Sequence, residues 1–176
     1  RHGVAGKAYS FDGVDDWVNL GNSRLPTNGS DWSASIWALN PVASPNMTHG
    51  PLLAQYNGNA GRFHLFANAS GIIKCFSSNM SGPTVIQTLG NQNNWNQLIL
   101  TCVSNQLSVY ENGYLRLSGV GISNIEATET KIGNDGNANR WLNGSIDDVR
   151  IYNRALSAAE VAQLYAMESA LPAGSV

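Results

Sequence analysis

Apolar and polar residues alternate in short runs along nearly the whole chain, and turn-forming pairs separate the runs. The pattern is plainest in "LSVYENGYLRLSG", where Leu107 and Val109 lead into Asn112-Gly113 and Leu115 and Leu117 lead out. Strand side chains point to opposite faces in turn, and Asn-Gly tolerates the positive φ angles of a tight hairpin. The same reading predicts strands at Ala8–Phe11, Trp17–Leu20, Trp32–Leu39, Leu52–Gln55, Arg62–Ala67, Ile72–Ser77, Thr84–Leu89 and Trp95–Val103. Further strands follow at Gln106–Glu111, Tyr114–Leu117, Thr130–Ile132 and Ser145–Tyr152. About a dozen short strands bounded by turn signals predict an all-β sandwich or barrel. One helix interrupts the pattern near the end. Ser157 and Glu160 have the spacing of a capping box, and Val161, Leu164 and Tyr165 form an apolar stripe that can lie on a sheet.

The chain has 176 residues, enough for one well-filled domain, assigned to 1–168, with 169–176 read as a tail or linker. Charged residues make up 12% of it, about half the usual share, and Asn, Ser, Gly and Thr fill the gap. The net charge of -2 and the lack of a Lys/Arg cluster exclude a nucleic-acid partner. No apolar run approaches the ~18–20 residues of a membrane span, so membrane insertion is not expected. The opening "RHGVAGKAYSF" reads as a domain cut from a longer chain, and the low charge suits an extracellular setting. Cys75 and Cys102 lack the spacing of a zinc or redox site. They read either as one disulfide or as two small buried apolar residues.

The segments "YSFDGVDDWVNL", "WSASIWALNP", "WNQLILTCVSNQLSVYENG" and "LNGSIDDVRIYNRALSAAEVAQLY" come in an order that resembles laminin-G-like domains of the concanavalin A-like lectin/glucanase superfamily. The resemblance covers about Ala8 to Met167. It implies a two-sheet antiparallel jelly-roll sandwich, here with one short C-terminal helix. It also implies secretion or cell-surface display, frequent calcium binding, and recognition of glycan or protein, often beside a catalytic domain in the same chain. The resemblance places Trp17, Trp32, Trp37, Trp95 and Trp141 at packing positions rather than sugar platforms. Tyr56 and Tyr114, near turns, are freer candidates for stacking.

Asp147 and Asp148 sit side by side in a predicted strand. Strict alternation groups Asp147 with Val149 and Ile151, which predicts an inward lean for Asp147 and leaves Asp148 to pair with Arg150 on the polar face. An inward carboxylate needs backbone or hydroxyl donors, or a hard cation. The turn "FDGVDD" offers Asp12, Asp15 and Asp16, and in a jelly roll of this kind the first and last strands are often neighbours. The expected metal set is therefore Asp12, Asp16 and Asp147 around a structural Ca2+. The competing reading is that the turn acids cap their own backbone. A second loop, "GNDGNANR", starts as an EF-hand does at Asp135, Asn137 and Asn139. It then fails, with Arg140 where Gly is needed and Ile146 where Glu is needed.

The resemblance includes glucanases, whose E-x-D-x-x-E carboxylates flank the bond they cut. That pattern is missing here, so the chain is read as noncatalytic. Arg62 and His64 on one face of "RFHLF" keep a polysaccharide lyase or hydrolase as a lesser alternative. The expected function is a lectin-like carbohydrate-binding module of a secreted or surface multidomain protein. Its expected ligand residues are Tyr56, Asn57, Arg62, His64, Asn137 and Arg140, and its expected partner is a glycan or polysaccharide. A protein-binding adhesion module is the alternative in a different class.

Overall fold

The computed structural model describes residues 8–22, 24–26, 29–43, 49–57, 60–77, 84–88, 93–122, 129–136 and 139–170, with backbone alone at 57, 60–62 and 84–88. Its strands are β1 (Tyr9–Asp12), β2 (Val18–Asn19), β3 (Trp32–Ala43), β4 (Gly50–Asn57), β5 (Ala60–Ala67) and β6 (Ile72–Ser77). They continue with β7 (Thr84–Thr88), β8 (Asn96–Val103), β9 (Gln106–Glu111), β10 (Tyr114–Gly121), β11 (Glu129–Ile132) and β12 (Leu142–Tyr152), and α1 (Ala158–Ser169) closes the chain. Each predicted strand and the predicted helix has its counterpart.

Two six-stranded sheets result, ordered β1-β12-β3-β8-β9-β10 and β2-β11-β4-β5-β6-β7. All the pairings are antiparallel. The first and last strands are neighbours, with Phe11 opposite Gly144 and Asp12 opposite Asn143. Between the sheets, Trp32, Ala34 and Ile36 of β3 and Leu98, Leu100 and Cys102 of β8 meet Leu53, Phe63, Leu65 and Ile73 of the second sheet. Trp32 meets Phe63 edge to face, with centroids 5.7 Å apart. Each fully buried Leu, Ile or Phe side chain contributes about 1.5–3 kcal/mol relative to exposure, so this layer is the main favourable term.

Cys75 and Cys102 are both free and both buried, on opposite sheets. Burial pushes each thiol up to about 11. The two cysteines act as small apolar core residues, not as a disulfide.

The capping box is complete: Ser157 Oγ accepts from the Glu160 amide, and Glu160 Oε2 accepts from the Ser157 amide at 2.8 Å. The Arg154 guanidinium, helped by Ser157, holds the Glu160 carboxyl down to about 2, so it stays ionised at neutral pH. The helix buries Val161 and Leu164 against Ile99 and Leu156 on the outer face of the first sheet, with Tyr110 and Tyr152 alongside. That cover explains why β3 and β8 are buried on both faces, although a sandwich strand has only one core side.

The alternation argument for Asp147 is corrected by a β-bulge. Between the Asp147–Trp37 and Arg150–Ser35 pairs, β12 advances three residues while β3 advances two. Asp148 carries the distortion at φ 46, in the left-handed region that Asp tolerates better than most residues. The extra residue reverses the parity. Ile146 and Val149, three apart, both pack toward the core, and Ile151 follows Val149. Asp147 faces outward with its partner Trp37, and its Oδ1 accepts from the Asp148 amide at 2.8 Å. Asp148 lies 3.9 Å from Arg150, whose closer contact is Glu168 at 2.6 Å.

Candidate functional site

The two outer faces differ. On the first sheet, Trp37 stacks on Tyr165 of α1 at 5.9 Å. Beneath that stack, Glu168 accepts from Trp37 Nε1 and Gln97 Nε2, each at 2.7 Å. The second sheet has no helix on it among the described residues. What lies on it is the segment between β11 and β12, which folds back over β4 and β5.

That segment is held by a buried carboxylate. Asp135 is 3% exposed, and its Oδ2 accepts from Arg140 Nη1 at 2.8 Å and lies 3.2 Å from His64 Nδ1. His64 reaches the outer face because its neighbours Phe63 and Leu65 occupy the core side of β5. Asn134 bonds within the segment, donating to the Arg140 carbonyl at 2.9 Å and accepting from the Gly136 amide at 2.6 Å. Gly136 sits at φ +82 against Tyr56, and a β-carbon there would overlap the Tyr56 ring. The segment therefore closes over Tyr56 and His64.

The structure brings Tyr56, His64 and Arg140, three of the expected ligand residues, onto this one face. Their exposures divide their roles. His64 is 2% exposed, so it supports Asp135 from below and does not meet a ligand in this arrangement. Tyr56 is half-buried, and the Arg140 side chain keeps 24% of its surface. Asn137 lies outside the described residues, as do the side chains of Asn57 and Arg62. Tyr114, 70% exposed, belongs to edge strand β10 of the other sheet.

The expected metal set comes together only in part. Asp12, Asp15 and Asp16 are exposed, and one oxygen from each lies within 4.8 Å of the others. Asp147 does not join them. Asp12 is opposite Asn143, four positions along β12 from Asp147, which is about 13 Å of strand. Backbone capping is also present: Asp12 Oδ1 accepts from Val14 at 2.8 Å, and Asp16 Oδ2 accepts from the Asp12 amide at 3.0 Å. Asp147 and Asp148 instead border a cleft of about 280 Å³, whose wall includes Phe11, Ile132 and Ile146.

Sequence reasoning missed two features. Asp135 was read as part of a failed EF-hand, and only its contact with His64 on another strand reveals it as the hub. Trp17 was assigned to packing, yet it is 46% exposed, with Lys131 Nζ 4.6 Å from its ring centroid. The signal for Trp17 was in the strand period, since the neighbouring Val18 packs on the core and Trp17 must then face out.

A family model described as the Concanavalin A-like lectin/glucanases superfamily matches residues 12–162. No curated protein matches the sequence. Among solved structures, domain 4 of AbnA, a GH43 extracellular arabinanase from Geobacillus stearothermophilus, in complex with arabinotriose, is similar at 21% identity. Its TM-score is 0.70, over 94% of this chain and 79% of that one. The CBM40 of the Ruminococcus gnavus IT-sialidase, bound to α2,3-sialyllactose, is similar at 16% identity and TM-score 0.65, over 90% of this chain and 97% of that one. Trypanosoma rangeli sialidase gives 16% identity and TM-score 0.71, over 95% of this chain, which spans 28% of that enzyme. At these identities the likeness carries the fold. Among the described residues no helix is long and apolar enough to cross a membrane.

Proposed function

From the premise that the chain belongs to the concanavalin A-like lectin/glucanases superfamily, we propose that it is a noncatalytic carbohydrate-binding module of a secreted or surface protein, working beside a catalytic domain. The observation that carries this reading is the division of the two outer faces. The helix occupies one, and the other presents Tyr56, Arg140 and Trp17 on a rigid sheet, with a folded segment as a wall. Aromatic faces with a few fixed polar groups suit sugar rings, which are apolar on one side and hydroxylated at the edge. The arabinotriose and α2,3-sialyllactose in the two similar domains support the same ligand class. The noncatalytic part is supported by where the described glutamates lie. Glu111 pairs with Arg116, Glu129 with Lys131, Glu160 with Arg154, and Glu168 lies in the last turn of α1, bonded to Trp37. These are four separate places, whereas a retaining hydrolase holds two carboxyl groups about 5–5.5 Å apart across one bond.

A glycan array followed by titration calorimetry tests the proposal. At least one neutral or acidic polysaccharide binds with a Kd at or below the millimolar range, and no product is released on long incubation. Silence across the array at millimolar ligand, or release of cleaved sugar, would contradict it.

A structural calcium belongs to the same reading. The three turn carboxylates are hard oxygen donors of the kind calcium takes, with Asp15 standing where the sequence pointed to Asp147. With calcium at about 100 times its Kd, linkage adds about 2.7 kcal/mol, so EDTA lowers the melting temperature by roughly 5–10 °C. An unchanged melting curve, with no metal in elemental analysis, would remove the ion and leave backbone capping as the whole role of this turn.

A further inference from the structure

Resting on the reading that this face of the second sheet recognises glycan, we infer that Trp17, Lys131 and Glu129 form a subsite for an uncharged sugar ring bearing two adjacent hydroxyl groups. β11 places the two charged residues. Thr130 and Ile132 are buried, so Glu129 and Lys131 alternate with them onto the outer face. The pairing of Lys131 with Asn19 and Ile132 with Val18 sets Trp17 beside the end of β11. The Lys131 ammonium then lies 4.6 Å from the Trp17 ring centroid, 5.6 Å from that of Tyr56, and 2.8 Å from Glu129 Oε2.

Three properties of this group match a sugar. Trp17 keeps 46% of its surface, enough for a ring face to stack on. The ammonium offers donors and the carboxylate offers acceptors, so one hydroxyl can accept from Lys131 while its neighbour donates to Glu129. The Lys131 side chain is only 12% exposed and is held against both aromatic rings, so little rotamer freedom is left to lose on binding. Charge then selects the ligand class. The positive charge of Lys131 is already matched by Glu129, and an anionic sugar would meet the Glu129 carboxylate as a like charge. The subsite therefore favours neutral sugars over uronic or sialic acids.

Titration calorimetry of the whole domain against a panel of neutral oligosaccharides, including arabinotriose and cellotriose, and against α2,3-sialyllactose tests this. A neutral sugar binds, and its affinity is unchanged when sodium chloride is raised from 0.05 to 0.5 M. Trp17→Ala and Lys131→Met each weaken binding at least about tenfold, and Trp17→Phe, which keeps a stacking face, stays within about threefold of wild type. All three variants melt within a few degrees of wild type, because Trp17 is half exposed and methionine keeps the unbranched apolar stem that packs against the two rings at Lys131. Wild-type binding that survives Trp17→Ala overturns the subsite and leaves the glycan reading standing. So does a preference for sialyllactose whose affinity falls with salt. A wild-type domain that binds none of the sugars overturns the glycan reading and the subsite together.

Discussion

Glu168→Ala is expected to destabilise the domain by about 3–5 kcal/mol, the range for breaking a buried ionic contact, and to lower its melting temperature by roughly 10 °C or more. The carboxylate is 6% exposed, accepts from Trp37 and Gln97 through Oε2, and forms an ion pair with Arg150 through Oε1, so its partners lie on three different strands. It also sits in the last turn of α1, where the helix dipole disfavours a negative charge and no basic residue of that turn offsets it. The two donors and the Arg150 charge account for an acid there. Removing it takes the 2.7 Å acceptor from the buried Trp37 Nε1, at a cost of about 1–3 kcal/mol, and leaves Gln97 Nε2 with the longer contact to Ser35 Oγ at 3.3 Å. Glu168→Gln keeps one acceptor oxygen and should lose less. Urea denaturation of the two variants checks the order, and equal losses would show that packing rather than the polar network pins the helix.

The second large effect belongs to the face opposite the helix. Asp135→Ala should cost about 2–3 kcal/mol, because it strips a buried acceptor from Arg140 and from His64. It should also weaken glycan binding at least about tenfold, since the segment over Tyr56 loses its anchor and the wall of the site loosens. Tyr114→Ala, on the exposed edge of the other sheet, serves as the control and should leave both quantities unchanged. Thermal melts and calorimetric titration read the two effects separately. A stable Asp135→Ala variant with full affinity would mean that the segment is held by its backbone contacts alone.

Most of the architecture was legible because it is written in local pattern. Alternating residues and Asn-Gly turns located the strands, and Ser157 with Glu160 located the helix start, since each signal needs only a few consecutive residues. The outward turn of Asp147 was not legible. Period-2 reasoning assumes an unbroken strand, and the bulge at Asp148 exists only relative to the partner strand β3. The same limit hid Glu168, because its partners lie on β3, β8 and β12. At the candidate site, residue type singled out Tyr56, His64 and Arg140, which the fold sets on one face. It could not separate the buried support, His64 and Asp135, from the exposed surface, because that separation is decided by how the segment before β12 folds back. Asp147 is set apart from the turn acids for a related reason. Neighbouring strands were foreseen, but the register that sets Asp12 against Asn143 was not.

The central claim is that the outer face of the β2-β11-β4-β5 side of the sandwich, the face away from α1, recognises sugar. Amide chemical-shift mapping of the labelled domain, titrated with the tightest-binding oligosaccharide from the array, tests it most directly. The account predicts shifts concentrated at Trp17, Glu129–Lys131, Tyr56 and Asp135–Arg140, with the helix and β10 silent. Shifts centred on α1 and β10, or confined to the Asp12–Asp16 turn, would contradict it.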